Sequence, residues 1–198
     1  MIQTSTRYTK TAVILHWLIA IFLVGMFILG WFMTEIPKEA PKQTAFDLFD
    51  LGIYSWQVAQ EITPRAFYFN LHKSLGLTIF ALIAIRILWR IAHKPPALLT
   101  SYSALERKLA TGTHHLLYTL MVVIPLTGLV MSIYGKYSVN WFGIELIKGA
   151  DNKGIRDIFE STHELLGIVL LAFVALHVAG ALKHKLIDKD ETLKRMSL

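Results

Sequence analysis

Four histidines, His16, His72, His163 and His177, sit about one turn inside the ends of apolar segments, in a chain with eight histidines and no cysteine. A neutral imidazole ligates iron, zinc or copper, so histidines at these positions suit a metal or metallocofactor held within an apolar layer. The absence of cysteine excludes haem attachment through Cys-x-x-Cys-His, thiolate-bound iron–sulfur clusters and disulfides. A haem in this chain is therefore expected to be non-covalent and b-type.

The elements that position these residues follow from hydropathy. Hydrophobic residues make up 54% of the 198 residues and charged residues 17%, with a mean hydropathy of +0.49, beyond the apolar usage of a water-soluble domain. Four runs, 11–33, 71–91, 114–134 and 162–182, are each long enough to cross about 30 Å of hydrocarbon at about 1.5 Å per residue. The expected fold is all-α, a four-helix integral membrane bundle forming one domain over 1–198. No small-residue cleavage site follows the first run, which is expected to remain as the first helix. Lys and Arg divide 12 to 8 between the two sides, and Asp and Glu divide 4 to 10 the other way. The positive-inside rule then puts both termini in the cytoplasm. The net charge of +6 reads as a topology signal, and no nucleic-acid partner is needed to explain it.

The loops differ in character. Residues 34–70 mix Phe46, Phe49, Tyr54 and Trp56 with Asp47, Asp50 and Glu61, which suits a short interfacial helix. Ser103-x-x-Glu106 resembles a capping box, either for a short cytoplasmic helix or for an early start to the third span. The glycine-rich segment 135–161 predicts turns until a helix begins near Ile155.

Depth decides which histidines can share a ligand. His16 and His177 lie at matching cytoplasmic depths, and His72 and His163 meet near the opposite surface. His163 and His177 are 14 residues apart, about 21 Å of rise and nearly four turns, so both occupy one face of the last helix. Arg86 follows His72 by the same interval. It either meets a haem propionate or snorkels towards the surface beside Arg90. Gly76 and Gly167 each lie four residues from an outer histidine, where a missing side chain would admit a porphyrin plane. Divalent metal is the chemical rival. Zinc favours carboxylate or thiolate companions, and only Glu164 lies near either pair.

His16-Trp17, His72 with Gly76 and Arg86, Pro125-Leu126-Thr127-Gly128-Leu129-Val130-Met131, and His163-Glu164 followed by Leu176-His177 together resemble the bacterial cytochrome b561 family across all four helices. The resemblance implies two b haems, one held by His16 and His177 on the cytoplasmic side and one by His72 and His163 on the periplasmic side. It implies a protein of the bacterial inner membrane that passes electrons from an outer donor, superoxide in the superoxide oxidase type, to ubiquinone of the respiratory chain. The long first loop departs from the family pattern. His184, His114 and Tyr118 are candidates to bind the quinone, with His184 exchanging a proton. Lys73, Arg156 and Lys153 are candidates to attract an anion at the outer surface, where the loops are net acidic. Two other readings use the same residues. One is a haem-bearing anchor for a partner redox subunit of a dehydrogenase or hydrogenase, and the other is a metal-ion transporter with a histidine relay.

Overall fold

The computed structural model describes residues 7–99 and 101–198. Four long helices dominate it: α1 (Lys10–Glu35), α2 (Pro64–Ala92), α3 (Ala104–Ile133) and α4 (Lys153–Leu186). Each is long and apolar enough to cross a membrane. Their outward surfaces carry Ile21, Trp31, Leu88 and Ile168, all largely exposed, as lipid-facing positions require and water-facing ones do not. Three small clusters centred on Ile83, Leu170 and Phe46 fill the contacts between helices. Four spans bring the chain back to the side on which it began, and the Tyr8 N–H bonds the Arg195 carbonyl at 3.4 Å.

The helices extend beyond their apolar runs because their first turns are capped in polar sequence. Thr9, Thr63 and Asn152 each accept a backbone N–H through the side chain. Pro64 occupies the first turn of α2, where its missing N–H costs nothing. Ser103 and Glu106 form a reciprocal capping box. That motif therefore marks the early start of the third span and not a separate helix.

The first loop corrects the expected interfacial helix. Antiparallel strands β1 (Gln43–Asp47) and β2 (Ser55–Ile62) form a hairpin, and the only helical piece between them is a three-residue turn at 48–50. Trp56, Val58 and Ile62 fall at even spacing, the strand period. Phe49 and Asp50 take positive φ at the turn. Asp47 steadies it by accepting the Gly52 N–H at 2.7 Å, while the Tyr68 hydroxyl donates to the Asp47 carbonyl and accepts from the Phe49 N–H, both at 3.0 Å. Phe46, 1% exposed, stacks on Phe67 with ring centres 4.2 Å apart.

The third loop holds a second hairpin, β3 (Val139–Trp141) and β4 (Ile144–Ile147), turned by Phe142 and Gly143 at φ 47° and 90°. It leans on α2. The Ser74 hydroxyl accepts the Phe142 N–H at 2.9 Å, and the Trp141 indole donates to the Thr78 hydroxyl at 3.1 Å. Trp56 and Phe142 stack, with ring planes 12° apart, and join the two hairpins over that end of the bundle.

The chain after α4 crosses the opposite end. The Trp17 indole donates to the Met196 carbonyl at 2.9 Å and the Arg195 guanidinium to the Ala97 carbonyl at 2.6 Å.

Phe46→Ala should destabilise the hairpin end by roughly 3–5 kcal/mol, the usual cost of emptying a buried phenylalanine site. Ile53→Ala, at a position 82% exposed, should stay within about 0.5 kcal/mol. Denaturant unfolding of the detergent-purified chain compares the two, and equal effects would show that Phe46 does not anchor the loop.

Candidate functional site

The four histidines form two pairs at the two ends of the bundle. At the end carrying the termini, His16 of α1 and His177 of α4 have ring centroids 6.2 Å apart. At the hairpin end, His72 of α2 and His163 of α4 are 6.3 Å apart. A metal–imidazole bond of about 2 Å, with about 1 Å from nitrogen to ring centre, puts two opposed imidazoles about 6 Å apart across one metal. Both pairs match that distance, so the donor sets fit a bis-histidine haem at each end.

Ring orientation at the hairpin end supports this fit. His163 Nδ1 lies 3.0 Å from the Ile124 carbonyl and 3.1 Å from the Thr127 hydroxyl. The Thr127 hydroxyl already donates to Ile124 at 2.7 Å. Nδ1 is therefore the protonated nitrogen, and Nε2 is left with a free lone pair, the tautomer a metal ligand needs. A Cβ at Gly128 would stand 3.0 Å from His163 Cε1 and 3.2 Å from Nδ1. The glycine thus lets the ring reach the α3 carbonyl. His72 packs its ring over Gly30 of α1, and its Nδ1 is buried without a hydrogen-bond partner. An uncompensated polar atom is costly in a span.

A Cβ at Gly76 would meet only Met26, at 3.7 Å, and one at Gly167 nothing within 4 Å, so neither position is crowded by protein. The close approach of a histidine ring to a glycine of α3 falls at Gly128. Thr127 and Gly128 belong to the Pro125–Met131 segment, whose small and polar residues inside an apolar helix were the available signal.

At the end carrying the termini, Arg86 turns into the bundle instead of snorkelling. Its guanidinium donates to the Ala12 carbonyl and the Tyr118 hydroxyl, both at 3.1 Å, and lies 3.3 Å from His16 Nδ1. Arg90 lies over the Tyr118 ring, 5.3 Å from its centre. His114 of α3 stands edge-on to His177 at 5.3 Å. His114 and Tyr118 thus join the His16, His177 and Arg86 group.

His184 belongs to a different group. Its Nδ1 bonds Asp190 at 2.8 Å and Asp188 at 3.0 Å, and its ring stacks on Tyr102 at 4.4 Å. A cavity of about 260 Å³ lies beside them, lined also by Ser101 and Glu106. Burial alone would raise the Asp190 carboxyl, but hydrogen bonds from Thr192 and His184 hold it below the ordinary carboxylate range. Burial raises the Tyr102 hydroxyl. The acidic partners of His184 lie beyond the last apolar run and escaped the sequence reading. Among the contacts of the described residues, none joins His184 to His114 or Tyr118.

At the hairpin end, Lys73 and Arg156 lie within electrostatic reach of one another. Arg156 also pairs with Glu160 at 2.7 Å. Lys153 opens α4 and is exposed.

The chain matches the prokaryotic cytochrome b561 family over residues 7–197. It is 33% identical to cytochrome b561 homolog 2 of Escherichia coli (strain K12), over 98% of this chain and 93% of that protein. Identity to the probable superoxide oxidase CybB of Yersinia pestis is 25%, over 96% and 95% of the two chains. Cytochrome b562 of Cereibacter sphaeroides is also 25% identical, over 96% and 94%.

Gly128→Ala should lower the haem recovered per chain, whereas Gly112→Ala, where a Cβ meets nothing within 4 Å, should not. A reduced-minus-oxidised spectrum on purified protein reads both, and full haem in Gly128→Ala would show that His163 needs no clearance there.

Proposed function

This multi-pass bacterial membrane protein belongs to the prokaryotic cytochrome b561 family, whose members are b-type haem electron-transfer proteins, and from that premise we propose that it carries electrons across the inner membrane on two haem b groups. His16 with His177 holds one group near the cytoplasmic face, and His72 with His163 holds the other near the periplasmic face. The observation that carries this reading is the pair of matched separations, 6.2 and 6.3 Å, set about 21 Å apart along one face of α4. Each haem supplies a one-electron carrier when bound.

The chain's own residues orient and insulate. Ile124 and Thr127 fix the His163 tautomer, Arg86 faces His16, and the two hairpins cover the periplasmic end. The proposed donor is superoxide and the proposed acceptor ubiquinone, a reading supported by likeness to a protein named as a probable superoxide oxidase. Two superoxide anions give up one electron each and leave as dioxygen; one quinone takes both electrons and two protons. Outer-sphere transfer needs no vacant iron position, so paired histidines are compatible with this chemistry. Lys73, Arg156 and Lys153 supply local positive charge on the donor side. On the acceptor side, His114 stands against His177 and Tyr118 against Arg86, and His184, hydrogen-bonded to Asp190, supplies a proton relay at the rim.

The test is a dithionite-reduced minus oxidised spectrum with haem quantified per purified chain, followed by superoxide consumption with a soluble quinone. Two low-spin b haems are expected. His72→Ala or His163→Ala should remove one and His16→Ala or His177→Ala the other. Retention of both haems in all four variants would overturn the ligand assignment. No superoxide consumption by the haem-loaded chain, together with a co-purifying redox subunit, would favour a membrane anchor instead.

A further inference from the structure

Arg86 is a cation where a cation is costly. It lies inside an apolar span, and among the described residues no carboxylate pairs with it. Its hydrogen bonds go to a carbonyl and a hydroxyl, and its third contact is the His16 ring. Neutral acceptors orient a guanidinium but leave its charge in place, and little water is present to screen it.

The periplasmic pair has no equivalent. His163 Nδ1 faces a carbonyl and a hydroxyl. Glu164, the next residue, is exposed, and the charge within electrostatic reach of His163 is therefore a carboxylate and not a cation. Lys73 lies within electrostatic reach of Arg156, whereas Arg86 stands 3.3 Å from the His16 ring.

Resting on the ligand reading above, we infer that Arg86 makes the His16–His177 centre the electron sink of the molecule, because a half-buried guanidinium 3.3 Å from His16, with no carboxylate of the described residues on it, favours the electron-richer state there. The 3.3 Å contact is long for a charge-assisted hydrogen bond, so the charge acts mainly through space. The same charge is felt weakly at the His72–His163 centre, about 21 Å away along α2. A haem held by His72 and His163 would give up one electron, and one held by His16 and His177 would take it up. Arginine stays protonated throughout, so no proton accompanies the transfer. The direction from donor to quinone is then built into one side chain, without a conformational change.

Spectroelectrochemical titration of the haem-loaded chain tests this, with His16→Ala identifying the wave of the cytoplasmic centre. Arg86→Gln should move that wave to lower potential and leave the other in place. Arg86→Lys, which keeps the charge but loses the planar fork, should recover most of the shift. Unmoved waves, or equal movement of both, would overturn the inference. Loss of the cytoplasmic haem from both variants would also overturn it, making Arg86 an anchor for the group. If His16→Ala removes neither wave, the ligand reading itself fails, which is a separate result.

Discussion

An imidazole inside hydrocarbon must satisfy its ring nitrogens within the protein, and α4 carries two imidazoles with this requirement on one face. Their 14-residue interval fixes where the partners must come from. The first helix supplies His16 at the depth of His177, and the second supplies His72 at the depth of His163. The arrangement of the remaining helices follows. α3, which contributes no member of either pair, packs most extensively along α4 and provides the Ile124 carbonyl and Thr127 hydroxyl that set the His163 ring. Its Gly128 permits the approach. The helix without a paired histidine is therefore the one that positions the helix with two.

The two ends surround their histidine rings with different chemistry. At the hairpin end a neutral carbonyl receives the ring proton of His163, which makes its other nitrogen a better donor to a metal. At the termini end a guanidinium faces the ring of His16, so that ring lies beside a full positive charge. Two histidine pairs of matched separation are thus given unequal surroundings. The inequality arises because Arg86 occupies on α2 the stripe that His72 begins, 14 residues earlier.

Much of this was legible in the sequence because membrane spans and paired depths are written in long-period hydropathy. The four apolar runs, the capping box at Ser103 and Glu106, and the histidine spacing on α4 all depend on residues within one helix. The apolar runs alone stop short of the helix starts, since hydropathy marks the lipid and not the hydrogen bonding: α2 begins at Pro64, ahead of its run, whereas the capping box and the end of the glycine-rich loop pointed to the starts of α3 and α4. The first hairpin was hidden because its aromatic residues resemble an interfacial helix in composition. What distinguishes it is contact over distance: Phe46 against Phe67, and the Tyr68 hydroxyl on the 47–49 turn. His184 was read as a partner of His114 and Tyr118 from its place on α4. Its closest partners, Asp188 and Asp190, follow a turn that no periodicity predicts.

The ends of the bundle are closed by irregular chain, and this follows from the positions of the histidine pairs. A pair at the mid-plane would be insulated by helices alone, but pairs near the two ends need chain beyond the helices to cover them. At one end two hairpins, stacked through Trp56 and Phe142 and bonded to Ser74 and Thr78, cover the start of α2 just where His72 sits. At the other, the tail after α4 is held to Trp17, the neighbour of His16, through the Met196 carbonyl. Exclusion of water also lets a single charge such as Arg86 act strongly, because screening would otherwise erase the difference between the two ends. The first loop, with its hairpin, is on this account part of the insulation of the His72–His163 pair.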